Sequence, residues 1–269
     1  MADLPQTENL ALELIGPWLT IWLNKPDSRN ALSKEMLSEM KNVLESVRED
    51  RAIRGITFRG KGGVFCAGGD LKGFKEMATS EDKGKGLARE MSLEAADFFK
   101  MVNTCPQITV SVIEGAAIAG GFGLACSTDF VVIKADARLS LTETLIGLTP
   151  AQIAPYVIQK LGLPKARKLM LLADQIEGEE AKNIGLADFY AKNEQEVLRI
   201  LEDIRVKVLR AGPNALDATK KIISATQALD HEHLVKFAAD IFSDLLASEE
   251  GQEGFNSFLE KRKPHWVKE

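Results

Sequence analysis

Histidine and cysteine are both scarce in this chain of 269 residues, with three of each. The cysteines, Cys66, Cys105 and Cys126, have no CxxC spacing. An odd count with no export signal reads as reduced, mostly buried thiols rather than a disulfide framework. His231, His233 and His265 all lie near the C-terminus. No zinc motif or Ser–His–Asp pattern gathers around them, so no metal is expected. Long apolar runs are missing as well. None approaches the ~20 residues that span a bilayer, and the opening MADLPQTENLALELIG lacks the basic-then-apolar order of a signal peptide. No membrane partner and a cytoplasmic location are the expectations. An excess of positive charge is absent too: the net charge is −5, which removes the general electrostatic case for nucleic acid.

What is present is the balance of a soluble globular protein, 45% hydrophobic and 27% charged, long enough for one large domain or one domain with a helical appendage. LALELIG (10–16) and WLTIWLN (18–24) read as paired strands about a Gly16-Pro17 turn. A helix follows at about 32–49, with Leu32, Met36, Met40, Val43 and Leu44 on one face. IRGITFRG (53–60) reads as a short buried strand. KGGVFCAGGDLKGF (61–74) reads as a glycine-rich loop that turns helical, and 79–85 as a polar link. A helix at about 87–102, a strand within CPQITVSVIEG (105–115), a strand at DFVVIKA (129–135) and a loop RLSLTETLIGLTPAQ (138–152) complete an α/β order. From about residue 151 the chain reads as mostly helical. The expected division is a core at 1–198 and a helical oligomerisation region at 199–269.

The chemistry concentrates in two glycine-rich loops, GGVFCAGGD and AIAGGFGL. Neither has the terminal Lys-Ser/Thr of a phosphate loop or the GxGxxG of a dinucleotide fingerprint. Each follows a strand and leads toward a helix. A helix start offers unpaired N–H groups and partial positive charge, and glycine lets a ligand atom approach the backbone. Two such starts aimed at one carbonyl oxygen would make an oxyanion hole. The plainer reading, that these glycines serve tight turns and close packing, stays open at this level. EKRKPHWVK (260–268) is a local basic cluster, either a solvated helix end or an anion site for a phosphorylated ligand.

Four segments in order resemble the crotonase superfamily, the enoyl-CoA hydratase/isomerase group. LNKPDSRNALSKEM (23–36) is similar to its LNxPxxxNAL signature, and GGVFCAGGDLKGF (62–74) to its F-C-A-G-x-D-[LI] loop. ITVSVIEGAAIAGGFGLACSTDF (108–130) is similar to its glycine-rich segment, and EGFNSFLEKRKPHW (253–266) to its C-terminal E-G-x-x-A-F-x-E-K-R-x-P. The resemblance implies a spiral ββα core with a C-terminal helical trimerisation region, assembled as a homotrimer or a dimer of trimers. It implies an acyl-CoA substrate and no separate cofactor, because coenzyme A arrives within the substrate thioester. It places the oxyanion donors at the amides of Gly69 and Gly120, and lays Gly69, Asp70, Leu71 and Lys72 along the acyl-CoA. It sends Phe258 and Lys261 to a neighbouring subunit's pocket.

Hydratases of this group commonly use two glutamates. The aligned segment LSLTETLIGLTP (139–150) supplies one, Glu143, while the other position is Gly123. Gly123 is expected to contact substrate, leaving room for an anionic acyl branch that a glutamate would crowd and repel. Asp70 and Asp129 are further nearby acids whose usual roles in this pattern are structural. The leading expectation is hydration of a 2-enoyl-CoA with Glu143 as acid/base. A single-glutamate Δ3,Δ2-enoyl-CoA isomerase is the alternative, since one carboxylate can take a proton and return it between C2 and C4. A non-catalytic CoA-binding module is the reading from another class. GLTPAQIAPYVIQKLG (147–162) together with GGFGL resembles the isohexenylglutaconyl-CoA hydratase branch, with methylglutaconyl-CoA hydratases as neighbours.

Overall fold

A computed structural model describes residues 4–70 and 84–267. Strands β1 (Leu10–Ile15) and β2 (Trp18–Leu23) form an antiparallel hairpin, with Gly16 at φ +57° in the turn. Helix α1 (Lys34–Val47) starts where Ser33 accepts the Met36 N–H at 3.2 Å. It buries Met36, Met40, Val43, Leu44 and Val47 at helical spacing. Strand β3 (Gly55–Gly60), helix α2 (Gly84–Asn103) and strand β4 (Ile108–Ile113) follow. Strand β5 (Ala116–Ile118) leads into α3 (Gly120–Ser127), then β6 (Phe130–Lys134) and β7 (Arg138–Ser140).

Beyond residue 150 come α4 (Ala154–Leu161), α5 (Leu163–Leu172), β8 (Ile176–Glu177), α6 (Gly178–Ile184) and β9 (Phe189–Ala191). Helices α7 (Glu194–Arg210), α8 (Pro213–Ala225), α9 (His231–Ala247) and α10 (Glu249–Leu259) complete the described elements. The main sheet runs β1-β2-β3-β4-β6-β9, parallel from β2 onward, and a small sheet runs β5-β7-β8. Parallel pairing needs crossovers, and the helices between strands provide them.

Alternation along β4 divides the core. Ile108, Val110 and Val112 face α7, meeting Val197, Ile200 and Ile204, while Ile113 turns to the larger cluster under α1, α2 and α3. Helix α7 runs through residue 198, so the boundary drawn between 1–198 and 199–269 falls within it.

Among the elements that differ from the sequence expectation are three short strands. β7 forms inside the segment read as a loop, and β8 and β9 interrupt the stretch read as mostly helical. All three hold two or three residues, too few for a periodic signal, and exist through partners distant in sequence: β5 for β7, β7 for β8, β6 for β9. No described helix is long and apolar enough to cross a membrane.

Candidate active site

The first glycine loop is clamped between two other segments at the C-terminal end of the parallel sheet. On one side, Phe65 and Cys66 donate to the carbonyls of Glu114 and Ala116 at 2.9 and 3.0 Å, and Ile118 donates back to Cys66 at 2.9 Å. On the other, Ala67 donates to Arg29 at 3.0 Å and Leu32 donates to Gly68 at 2.7 Å. Asn30 locks this second clamp. Fully buried and left-handed at φ +55°, it accepts from the Lys25 amide and donates to the Lys61 and Val64 carbonyls at 2.9 and 2.7 Å. Asn tolerates that backbone because its short amide bonds locally.

The second loop reaches the first through residues without side-chain bulk. A Cβ on Gly121 would lie 2.8 Å from the Cys66 Cβ, and closer still to the Cys66 carbonyl oxygen. A Cβ on Gly68, itself at φ +100°, would lie 3.1 Å from the Ala119 Cβ. Ala119 adopts φ +49°, ψ −115°, a costly backbone for a residue with a Cβ. Its N–H is held by the Ser140 carbonyl at 2.9 Å, and its own carbonyl receives the Gly123 N–H at 3.0 Å. That strained residue starts α3. The Gly120 amide opens the helix, and the Gly69 amide nitrogen lies 3.9 Å from where a Gly120 Cβ would be. Neither amide donates to a group among the described residues. Close packing thus accounts for Gly121 and Gly68, while Gly69 and Gly120 carry two amides that are undonated among the described residues.

Glu143 is tied to the second loop through β7. β7 pairs with β5 through Ile118 and Ser140, and Glu143 follows three residues later, within about 11 Å along the chain. It opens a 3₁₀ turn, Glu143–Ile146, and its carboxylate oxygen Oε2 is buried with no hydrogen-bond partner among the described residues. Burial pushes its pKa up from the usual carboxylate range, opposed only in part by its own backbone N–H. A covered carboxylate oxygen without a partner is costly in a folded protein, and such groups concentrate where proton transfer is needed.

Gly123 has a hydrophobic side chain against its bare Cα. A Cβ there would lie 2.6 Å from the Ile153 Cβ and closer still to its Cγ2. Ile153, 4% exposed, occupies the space a side chain at that position would need. Asp129 has a structural role: it accepts from Thr109 N at 2.7 Å and pairs with Lys220 at 2.6 Å, at the opposite, N-terminal end of the sheet. A cavity of about 410 Å³ lined by Arg48, Lys220, Lys221 and Phe237 lies at that same far end. Asp70 directly follows Gly69 and is partly buried; Leu71 and Lys72 lie outside the described residues.

At the C-terminus, Phe258 is 80% exposed and Lys261 stands exposed at φ +55°. The basic cluster is partly neutralised, because Arg262 forks onto Glu253 at 2.6 and 2.7 Å and pairs with Glu260 at 2.6 Å. Those bonds hold the Glu253 carboxyl down to about 2. Sequence reasoning assigned no role to Asn30, although it stands in the quoted N-terminal signature. It also missed a buried ion cluster beneath the loops, where Arg59 pairs with Glu114 at 2.6 Å and Glu194 at 3.0 Å, with Lys134 on Glu114. Strands β3, β4 and β6 end in these charges, and only the alignment of strand ends shows that they meet.

With fold and site described, the comparisons define the class. The chain belongs to the enoyl-CoA hydratase/isomerase family, whose model matches residues 18–269. A solved structure named Pseudomonas aeruginosa AtuE is 38% identical and superposes with a TM-score of 0.92, covering 97% of this chain and 100% of that one. A probable enoyl-CoA hydratase of Bacillus subtilis is 30% identical over 259 residues, 96% of this chain and 97% of its own. Mouse mitochondrial methylglutaconyl-CoA hydratase is 27% identical over 266 residues, 97% of this chain and 81% of its own. The protein is an enzyme of this family with its crotonase-type α/β fold.

Proposed function

We propose that this enzyme is a hydratase-type lyase that adds water to a 2-enoyl-CoA, with Glu143 as acid/base and the amides of Gly69 and Gly120 as the oxyanion hole. The observation that carries the proposal is the buried Oε2 of Glu143, without a partner among the described residues and three residues beyond Ser140, whose carbonyl holds the Ala119 N–H beside the undonated Gly120 amide. Glu143 accepts a proton from water as the water oxygen attacks C3. The C2=C3 electrons move onto the thioester oxygen, where the two N–H groups stabilise the developing negative charge. The same carboxyl then returns the proton to C2, so one H–OH has been added and the carboxylate regenerated. No separate cofactor or metal takes part.

A second reading, double-bond migration between 3-enoyl- and 2-enoyl-CoA, draws support from the packing of Ile153 on Gly123, which leaves Glu143 without a second carboxylate on α3. For the substrate we favour a branched enoyl-CoA of the methylglutaconyl or isohexenylglutaconyl kind. The segment 147–162 and the printed name of the mouse relative support that choice. Gly69, Asp70, Leu71 and Lys72 would lie along the acyl-CoA.

A homotrimer or dimer of trimers acting in the cytoplasm completes the proposal. The exposed Phe242, Leu246, Phe255, Phe258 and Leu259 on α9 and α10 support assembly, with Phe258 and Lys261 reaching the next subunit. Light scattering at micromolar concentration checks this, and a clean monomer would refute it. For activity, straight and branched enoyl-CoAs are incubated with native enzyme and Glu143→Gln, following hydration and double-bond migration separately. Hydration lost in Glu143→Gln supports the reading; full turnover in that variant overturns it.

A further inference from the structure

Helix α3 carries two glycines one turn apart, and each has a hydrophobic side chain against its bare Cα. Leu32 Cδ1 would lie 3.1 Å from a Cβ on Gly120, and Ile153 crowds the corresponding point on Gly123. Residues at i and i+3 share one helix face, so Gly123 looks out on the side of α3 that begins with the Gly120 amide. Ile153 comes ten residues after Glu143, at the entry to α4, and its backbone carbonyl receives the Val157 N–H at 3.1 Å. Its Cβ is thus set by the start of a helix, and rotating χ1 cannot move that atom off Gly123. The two positions form a large–small pair: glycine accommodates a branched side chain that no residue with a Cβ could face without backbone movement.

From this pairing we infer that Ile153 determines how many acid/base groups the site holds. Seated on Gly123, it closes the α3 side to any second carboxylate and covers that wall with hydrocarbon, so every proton transfer passes through Glu143. The inference rests on the proposed role of Glu143 and extends it to a residue whose side chain does no chemistry itself. Ile153 is a specificity-determining residue, and its effect is on which variants of the site can work.

The test is a rescue. Gly123→Glu, Ile153→Ala and the double variant are each made with Glu143 native and with Glu143→Gln. Thermal melting and crotonyl-CoA hydration are measured on all of them. With Ile153 present, Gly123→Glu is expected to lower the melting midpoint and to restore nothing to Glu143→Gln. With Ile153→Ala, the same glutamate is expected to be accommodated, with a smaller fall in midpoint. Hydration by Glu143→Gln should then rise at least about tenfold, the lower part of the range for a positioned general acid or base. A merely structural Ile153 would change melting and leave that rescue absent. Equal damage by Gly123→Glu in both backgrounds, or rescue with Ile153 intact, overturns the inference. Undiminished turnover in Glu143→Gln itself is a different result, which overturns the role of Glu143 and not the packing.

Discussion

Replacing Glu143 with Gln should make the protein more stable while disabling it. The native side chain keeps Oε2 buried with no partner, and burial raises its pKa. Leaving a buried polar atom without a partner costs more when it is charged than when it is neutral, and because Glu143 is only partly covered a difference of about 1 kcal/mol, the low end of such costs, applies. Gln keeps the shape and removes the charge. For a chain of this size, that gain corresponds to a rise of about 2–4 °C in melting midpoint at pH 7.

The pH dependence gives the sharper signature. With the folded pKa above the unfolded one, the native state binds the proton more tightly, so stability falls as pH rises through that window. Below the unfolded value of about 4.3 both states are protonated and the penalty disappears. The advantage of Gln should therefore be full at pH 7 and vanish near pH 4, in melting curves followed by circular dichroism. Turnover should fall by about 10²–10⁴, toward the larger figure, because a single group serves both proton transfers. A Gln variant that melts no higher at pH 7, or whose advantage persists at pH 4, would refute the strained-carboxylate argument.

Other outcomes follow from the interlocked loops. Gly121→Ala drives a Cβ against the Cys66 backbone and should cost about 1–3 kcal/mol, read as a lower denaturation midpoint. Asn30→Ala strands the Lys61 and Val64 carbonyls, at roughly 1–3 kcal/mol for each. Asn30→Gly should be milder by about 1 kcal/mol, since it removes the same bonds without a Cβ in a left-handed backbone; equal midpoints would contradict that division. Burial pushes the thiols of Cys66 and Cys126 up to about 12 and that of Cys105 to about 11. Native protein should thus resist iodoacetamide at pH 8 and take up three labels once denatured, as mass spectrometry would show; labelling at native rates equal to denatured ones would refute the burial.

Much of the architecture was legible in the sequence because its signals are local. Apolar spacing marked α1 from Met36 to Leu44, and Gly16-Pro17 marked the first hairpin. The signatures around Asn30, Gly69, Gly120 and Glu143 identified the family that the comparisons then established. What tertiary structure alone decided depends on partners far apart in the chain. β7, β8 and β9 are too short to exist without a neighbouring strand, so no run of two or three residues could announce them. The packing at Gly123 was hidden for the same cause: Ile153, thirty residues later, is the side chain that a residue with a Cβ there would meet. Sequence names the residue types a reaction needs. Which atoms are covered, which amides lie undonated, and which spaces are already filled are set by packing among distant segments, and packing is decided only when the chain has closed on itself.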